Sequence, residues 1–217
     1  MKTKQPYFIL FENSDFIVAE KDAGISSIPE NDLSLPNLYS LLCDEYNSKL
    51  FIVHRLDKDV SGIILFAKNE RAHKDLCKLF ETREIKKNYS AIVTGLVKNN
   101  TGTIAKSIKE FGSGRMGVTN GNSGKRSITN YEVKKRFHNH TLVELTPTTG
   151  RRHQIRVHLY SIGHPVAGDR MYGDINLQSK YKRLYLHASE LEFHLDQIYH
   201  FKSEVPSTFI NFHEDKV

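Results

Sequence analysis

Two polar stretches, separated by about half the chain, hold the densest set of residues that could do chemistry. The first is His54-Arg55-Leu56-Asp57, in a loop that ends at a glycine, and the second covers residues 149–158. Cations at Arg55 and Lys58 would favour the ionised form of a carboxylate between them, which suits a nucleophile or a base. Loop aspartates also serve as turn or cap residues, and structural ion pairs also perturb carboxylates, so composition leaves both roles open for Asp57.

The apolar residues of the second stretch fit either a strand or one face of a helix. Gly163 suits the position just after a helix and Pro165 suits a helix stop, so we predict a helix over 150–163. On that helix Arg152 and Arg156 lie four residues apart and share a face. A guanidinium there could pair with a carboxylate or with an RNA phosphate. A basic helix surface is the alternative.

Two apolar runs must position the aspartate loop. Residues 50–53 enter it and residues 63–67 leave it, which predicts two strands joined by a polar loop. Loops held by strands commonly carry catalytic groups. Further strands are predicted at 8–12 and 16–20, joined by the turn-forming residues 13–15.

The remaining patterns mix helices with strands. Helical spacing predicts a helix over 38–46 that begins near Asn37, and a second helix that follows an N-cap at Asn69. The other predicted elements are a strand at 89–93, a mobile basic loop at 112–124, a hairpin of 127–135 and 141–146, strands at 184–188 and 190–194, and a less regular tail. Without strict βαβ alternation, this order points to an α+β fold.

Composition and charge narrow the classes of partner. The chain has 31 Lys and Arg against 25 Asp and Glu, a formal charge of +6 and a pI near 9.2. This balance favours a polyanionic partner, although a solvated surface rich in lysine would also produce it. The early apolar run at 7–11 is too short for a signal segment, and no run approaches a membrane span. We expect one domain over 1–217, located in the cytoplasm and without membrane contact.

No residue pattern indicates a metal or a nucleotide cofactor. Cys43 and Cys77 lie in predicted helices without metal or disulfide spacing, so we expect them to be reduced and buried. His153 and His158 are five residues apart, not the four that place two ligands on one helix face. The glycines of 112–124 precede neither the Lys-Ser/Thr of a phosphate loop nor a dinucleotide fingerprint. We predict no metal and no cofactor.

Short motifs along nearly the whole chain are specific in their combined order and spacing. They are Ile9-Leu10-Phe11-Glu12, Phe16 to Lys21, Val53 to Gly62, Arg83 to Ala91, Gly150 to Leu159, Gly163 to Asp169 with Tyr172-Gly173, and Leu186-His187-Ala188. Together they resemble the RluA-type family of pseudouridine synthases, which isomerise uridine in ribosomal and transfer RNA. The sequence departs from the family pattern at Asp22, where the family has proline, and at Val60, where it has threonine. We expect both changes to alter loop geometry rather than activity.

The resemblance implies a fold and a set of site residues. The fold is an α+β pseudouridine synthase catalytic fold, with a mixed, mainly antiparallel sheet, flanking helices and loops, and no separate N-terminal RNA-binding domain. Asp57 is implied as the catalytic carboxylate, Arg156 as the arginine that pairs with it, and Tyr89 as the ring that stacks on a flipped uracil. Leu186 is implied to pack at the floor of the site. Arg55 and His54 are implied to contact RNA, with Arg151, Arg152, Lys125 and Arg126 as further candidates for phosphate contacts.

Several alternatives stay open at this point. Asp57 could attack the sugar, attack the base or remove a sugar proton, and Tyr89 could also help to remove the C5 proton. A non-catalytic RNA-binding or ribosome-assembly protein could keep the same fold. A hydrolase of glycosidic bonds would need a second carboxylate, for which Asp59 or Asp169 is a candidate. Structured RNA, ribosomal or transfer, is the expected partner of a monomer that needs no other protein.

Overall fold

The computed structural model describes residues 5–30, 32, 34–119, 123–210 and 212. Its strands are β1 (Tyr7–Glu12), β2 (Phe16–Lys21), β3 (Phe51–Ile52), β4 (Ser61–Ala67), β5 (Lys86–Thr94), β6 (Thr101–Ala105), β7 (Ser107–Glu110), β8 (Met116–Thr119), β9 (Ile128–Arg136), β10 (His140–Pro147), β11 (Leu186–His194) and β12 (Ile198–Lys202). Its helices are α1 (Leu38–Glu45), α2 (Glu70–Thr82), α3 (Gln154–Ser161), α4 (Ile175–Gln178) and α5 (Ser207–Ile210).

The chain divides into two compact units. The first comprises Met1–Lys86 and Ala188–Glu204, and the second comprises Lys87–His187 and Val205–Val217. Strand β11 therefore contributes its first two residues to the second unit and the rest to the first. The single domain expected over 1–217 stays a prediction, because compact units occur both within one domain and as separate domains.

In the first unit, the strands follow the order β1, β2, β4 and β11, with β3 also on β4 and β12 also on β11. The pairs β1–β2, β2–β4, β3–β4 and β11–β12 are antiparallel. All seven residues of β4 are buried, and α2 packs on this strand. Helix α2 begins at the predicted cap, where the Asn69 side chain accepts a hydrogen bond from the Ala72 amide at 2.9 Å.

The core of the first unit is rich in aromatic rings. Phe16 meets Tyr199 at 4.9 Å between ring centroids, with the rings nearly perpendicular, and Phe193 meets Tyr199 at 5.4 Å. These rings pack with the buried apolar residues of β4 and α2, including Leu76. Each fully buried side chain of this size stabilises the fold by about 1.5–3 kcal/mol, so this cluster gives the unit a substantial core.

In the second unit, the strands follow the order β5, β10, β9 and β6, all antiparallel. The pair β7–β8 forms a separate antiparallel sheet of two strands. Ile108 on β7 packs against Val157 on α3 and against Tyr172. A second cluster of buried residues joins Ile92 on β5 to Tyr185 and Phe209.

The structure confirms the predicted α+β class with a mainly antiparallel sheet. The predicted helices at Asn37, Asn69 and 150–163 are present as α1, α2 and α3, and the hairpin of 127–135 and 141–146 is present as β9 and β10. Gly163 has a φ of +84°, as expected for a glycine just after a helix. None of the helices in the described ranges is long and apolar enough to cross a membrane.

Several local predictions are wrong. The loop predicted at 112–124 contains β8, which pairs with β7, while residues 120–122 lie outside the described residues. The two strands predicted at 184–188 and 190–194 are the single strand β11, and the tail contains β12 and α5. Cys43 and Cys77 are free thiols, but they are half-buried rather than buried.

Gly62 at the start of β4 is required by a close backbone approach. Its φ is +112°, and a Cβ at this position would overlap the carbonyl oxygen of Ala188 and lie 2.6 Å from the Ala188 nitrogen. Gly24 also has a positive φ, +93°, but no described atom lies within 4 Å of the place that its Cβ would take. A comparison of the two glycines therefore distinguishes the cost of a positive φ alone from the cost of a positive φ together with steric overlap.

We expect Gly62→Ala to lower the free energy of unfolding by at least about 3 kcal/mol, because strain and overlap act together. Gly24→Ala, the matched control, should cost only about 1 kcal/mol, since strain acts there alone. Urea unfolding of both variants measures the difference. Equal losses would contradict the role given to the contact with Ala188.

Candidate active site

Asp57 lies in the loop between β3 and β4. Its side chain is half-buried, whereas Arg55, Lys58 and Asp59 in the same loop are exposed. The Val60 amide donates to the Asp57 carbonyl at 3.1 Å and closes a turn just after the aspartate. Because this hydrogen bond uses only main-chain atoms, it forms even though valine stands where the family has threonine.

Both sequence neighbours of Asp57 are anchored to the first unit. The buried Ser27 hydroxyl donates to the Leu56 carbonyl at 2.8 Å, and the Leu56 amide lies 3.1 Å from the same hydroxyl oxygen. The Lys58 carbonyl accepts from Lys21 Nζ at 3.0 Å and from the Gly24 amide at 2.9 Å. The loop is thus fixed on both sides of the aspartate.

Lys21 is a fully buried lysine that holds this loop. Besides the Lys58 carbonyl, its Nζ donates to the carbonyls of Asp22 at 3.0 Å and Ile25 at 2.8 Å. A buried ammonium needs such acceptors, because leaving it without them would cost several kcal/mol. The departure from the family pattern at Asp22 leaves both Lys21 and the positive φ of Gly24 in place.

His54 is packed into the first unit. Its Nε2 accepts a hydrogen bond from the Leu65 amide at 3.0 Å, and its ring stacks on Phe80 with 4.7 Å between centroids. These contacts give His54 a role in packing the start of the loop against α2. Its contact with RNA stays a prediction, as does that of the exposed Arg55.

Tyr89, Leu186 and Arg156 belong to the second unit. Tyr89 is half-buried on β5, opposite Leu145 on β10. Leu186 is buried at the first position of β11. Arg156 is buried in the first turn of α3, in a helix whose residues 154–159 are all buried. It is therefore an interior cation and not part of a basic surface.

The prediction that Arg152 and Arg156 share one helix face is wrong. Helix α3 begins at Gln154, directly after His153, whose φ of +54° breaks the helix on its N-terminal side. Arg152 lies before the helix, is exposed and pairs with Glu110 at 3.3 Å. The two arginines thus have different surroundings in spite of their spacing.

A carboxylate that the sequence did not assign to the site holds Arg156. Asp169, with no exposed surface, accepts from Arg156 Nε at 2.7 Å and from Nη2 at 2.8 Å. This is the bidentate geometry that a guanidinium forms with a carboxylate. The signal in the sequence is the motif Gly168-Asp169 near Tyr172-Gly173, which by itself predicts no partner for Arg156.

Gln154 clamps the turn that precedes α3. Its Oε1 accepts from the Thr149 hydroxyl at 2.7 Å and from the Arg151 amide at 3.1 Å. Its Nε2 donates to the Ile128 carbonyl at 2.9 Å and to the Thr129 hydroxyl at 3.0 Å. All four hydrogen-bonding positions of this amide are thereby used, and the turn is fixed to β9.

The basic residues near this turn differ in exposure. Lys125 and Arg126 are exposed, and the Lys125 backbone pairs with Ile108 on β7. Arg151 is half-buried, and its Nε is buried without a hydrogen-bond partner in the part of the chain that the structure describes. Lys87 at the start of β5 is half-buried, and this burial lowers the pKa of its ammonium below the usual range.

His158 is a structural histidine. It is fully buried on α3, with Nδ1 2.9 Å from the Thr129 hydroxyl and Nε2 3.0 Å from the Lys106 carbonyl. Burial is the main cause that lowers the pKa of its imidazole below 6.5. Within the described ranges, no group of three or more His, Cys, Asp or Glu side chains is placed to hold a metal ion.

Known proteins resemble this chain in sequence and in fold. Residues 15–161 match the family model described as RNA pseudouridylate synthase. The dual-specificity RNA pseudouridine synthase RluA of Haemophilus influenzae is 36% identical over 193 residues, which cover 86% of this chain and 87% of that protein. The chain belongs to the RluA-type RNA pseudouridine synthases. It is therefore an isomerase by class.

Two further relatives agree with this assignment. The ribosomal large subunit pseudouridine synthase C of H. influenzae is 36% identical over 193 residues, which cover 85% of this chain and 60% of that protein. The solved structure of human RNA pseudouridylate synthase domain containing 1 aligns with a TM-score of 0.81 at 27% identity, covering 95% of this chain and 87% of that one. The predicted pseudouridine synthase fold is thus confirmed.

We expect Lys21→Met to lower the free energy of unfolding by about 3 kcal/mol, because three carbonyls lose a charged donor. The control is Lys58→Met, an exposed lysine of the Asp57 loop, which should change stability by no more than about 0.5 kcal/mol. Urea unfolding measures both. If the two variants lost the same stability, the buried ammonium would not be what anchors the loop.

We also expect a pH dependence from His158. Because its pKa is lowered in the folded state, the unfolded chain binds more protons below pH 6.5, and the free energy of unfolding falls as the pH decreases below that value. In thermal unfolding, His158→Gln should lose less stability than the wild type between pH 7.5 and pH 5. These two pH values lie about one unit or more on either side of the ordinary histidine pKa. His138→Gln, at an exposed turn, should behave like the wild type. Identical pH profiles for all three proteins would argue against this role.

Proposed function

We propose that this enzyme converts specific uridines in structured RNA to pseudouridine, with Asp57 as its catalytic carboxylate. The observation that carries the proposal is the anchoring of the Asp57 loop. The residues on both sides of the aspartate, Leu56 and Lys58, are bound to the buried groups of Ser27 and Lys21. The half-buried carboxylate therefore stands on a fixed main chain, next to the exposed side chains of Lys58 and Asp59.

The chemistry requires no oxidation or reduction. The bond between C1′ of the ribose and N1 of uracil breaks, the base turns, and C5 joins C1′. The proton on C5 then leaves and N1 gains a proton, so the product is an isomer of the substrate. A carboxylate assists by attacking the sugar or the base, or by removing a sugar proton, and Asp57 is proposed for whichever of these steps the enzyme uses.

The other site residues are proposed in supporting roles. A target base must leave its stack before a side chain can reach it, and Tyr89 is proposed to stack on the flipped uracil. Arg156 is proposed as the cation that pairs with the catalytic carboxylate, and Leu186 as an apolar contact at the floor of the site. The burial of Arg156 and Leu186 supports roles inside the protein rather than at the RNA surface.

Exposed cations are proposed to hold the RNA backbone. Arg55 lies two residues before Asp57, while Arg152, Lys125 and Arg126 are exposed in the second unit and Arg151 is half-buried there. Such residues bind phosphates independently of sequence and make the affinity depend on salt. The names of the relatives, one a ribosomal large subunit synthase and one a dual-specificity enzyme, favour ribosomal RNA as the first substrate to test. A monomeric state and a location in the cytoplasm stay predictions.

The test measures tritium release from unmodified RNA labelled at uridine C5. Wild type should release tritium, and Asp57→Asn should reduce release to background while it keeps RNA affinity within about threefold, since the two side chains have nearly the same shape. Asp59→Asn is the matched control, because this exposed carboxylate lies two residues away in the same loop. It should keep the wild-type rate.

Other outcomes would favour the alternatives. Binding of RNA by wild type without tritium release would favour the non-catalytic RNA-binding protein. Release of free uracil, with loss of activity in Asp59→Asn, would favour a hydrolase with two carboxylates. With an active wild type, fragment mass spectrometry of the modified RNA then identifies the uridine.

A further inference from the structure

We infer that Asp169 and Tyr172 are positioning residues, which fix the guanidinium of Arg156 in the orientation that isomerisation requires. This inference rests on the proposed function and adds two residues to it. Neither residue is a catalytic residue in this account, because both act through Arg156. The contacts that carry the inference all lie within the second unit.

Asp169 holds one complete edge of the guanidinium. Its Oδ2 accepts from Arg156 Nε at 2.7 Å and its Oδ1 accepts from Nη2 at 2.8 Å, with both side chains buried. Because the guanidinium is planar and its donors form a rigid fork, two such hydrogen bonds fix its plane and its rotation. The donors on the opposite edge then point in a defined direction, away from Asp169.

The carboxylate of Asp169 is itself fixed by its own turn. Its Oδ1 also accepts from the amides of Met171 and Tyr172, each at 3.1 Å. The Gly173 amide donates to the Asp169 carbonyl at 2.9 Å. At Gly168, with a φ of +82°, a Cβ would overlap the carbonyl oxygen of Arg183. The backbone before and after Asp169 therefore has little freedom.

Tyr172 restrains the face of the guanidinium. Its buried ring centroid lies 5.1 Å from Arg156 Cζ, and also 5.1 Å from Cζ of Arg115, which precedes β8. Its hydroxyl lies 2.7 Å from Nδ1 of His153, at the start of α3. An aromatic face attracts a cation and limits its movement perpendicular to the ring. Asp169 fixes the edge of the arginine, and Tyr172 fixes its face.

Stability alone does not require this arrangement. Buried ion pairs are expensive to desolvate, and apolar residues of similar volume often replace them without loss. Asp169 has no exposed surface and uses both oxygens on Arg156 and the following turn, so it is not placed to contact RNA. The arrangement is instead suited to hold a cation in one orientation.

The main test compares Asp169→Asn with Asp174→Asn. Asp174 is a matched control, since its carboxylate also accepts from the amides two and three residues later, at 2.9 and 3.2 Å, but it is exposed. We expect Asp169→Asn to lower the single-turnover rate of tritium release by about 100-fold, as small misplacements of a catalytic array do. RNA affinity should stay within about threefold of wild type, and Asp174→Asn should keep the wild-type rate.

A double-mutant cycle tests whether Asp169 acts through Arg156. In an Arg156→Gln background, Asp169→Asn should cause no further loss of rate, because the group that it positions is already gone. The double variant also contains no unpaired buried charge, so its comparison with Arg156→Gln can still be measured if Asp169→Asn alone fails to fold. Losses that multiply in the cycle would overturn the inference.

Tyr172 has its own pair of variants. Tyr172→Phe keeps the aromatic face and should keep the rate within about threefold, whereas Tyr172→Leu removes the face and should lower the rate by at least about tenfold at unchanged RNA affinity. Equal rates for both would overturn the role of Tyr172. An inactive wild type would overturn the proposed function together with this inference. An active wild type with a wild-type rate in Asp169→Asn would overturn this inference alone.

Discussion

The hydrogen bonds that buried Lys21 donates to the main chain are the constraint on which the candidate catalytic loop depends. The ammonium joins the carbonyls that follow β2 to the carbonyl of Lys58, one residue after Asp57. Short loops between strands can adopt several turn geometries, and the hydrogen bonds of this ammonium stabilise one of them. The position of the Asp57 main chain is thus determined by a residue that never needs to meet the substrate.

The second unit also holds a buried cation by hydrogen bonds, but the acceptor is of a different kind. There the buried cation is Arg156, and it is satisfied by a carboxylate rather than by carbonyl groups. Carbonyl oxygens suit the compact ammonium of a lysine, whereas the planar fork of an arginine requires a planar acceptor. In both units, the cost of removing a charged side chain from water is offset by several acceptors in fixed positions. These acceptors determine the orientation of the side chain more than they add to the stability of the fold.

Much of the fold could be predicted because local signals are strong at particular residues. Asn37 and Asn69 cap helices that begin where periodicity indicates, and Gly163 ends α3. The hairpin β7–β8 could not be predicted, because glycines and serines dominate residues 112–124 and its pairing with residues 107–110 is a tertiary choice. The break between the strands predicted at 184–188 and 190–194 had no physical basis, since Ser189 continues β11.

The candidate site, too, could be predicted only in part from the sequence. The resemblance gave Asp57, Tyr89, Arg156 and Leu186 as residue types at matching positions, but it did not reveal which groups hold them. The contact between Arg156 and Asp169 joins residues on different elements, and no spacing rule predicts it. Likewise, the spacing of Arg152 and Arg156 predicts that they share one helix face. The positive φ of His153 prevents this, and a positive φ is not expected at a residue other than glycine.

The close approach at Gly168 has a consequence for which residues this position can hold. At this turn, backbone meets backbone: a Cβ would overlap the Arg183 carbonyl oxygen and lie 2.7 Å from its carbon. A clash with a side chain can be relieved when the neighbour becomes smaller, but no substitution shortens a main chain. A residue with a Cβ at this position therefore requires the main chain itself to move. The exposed basic side chains that are proposed to contact RNA carry no such restriction.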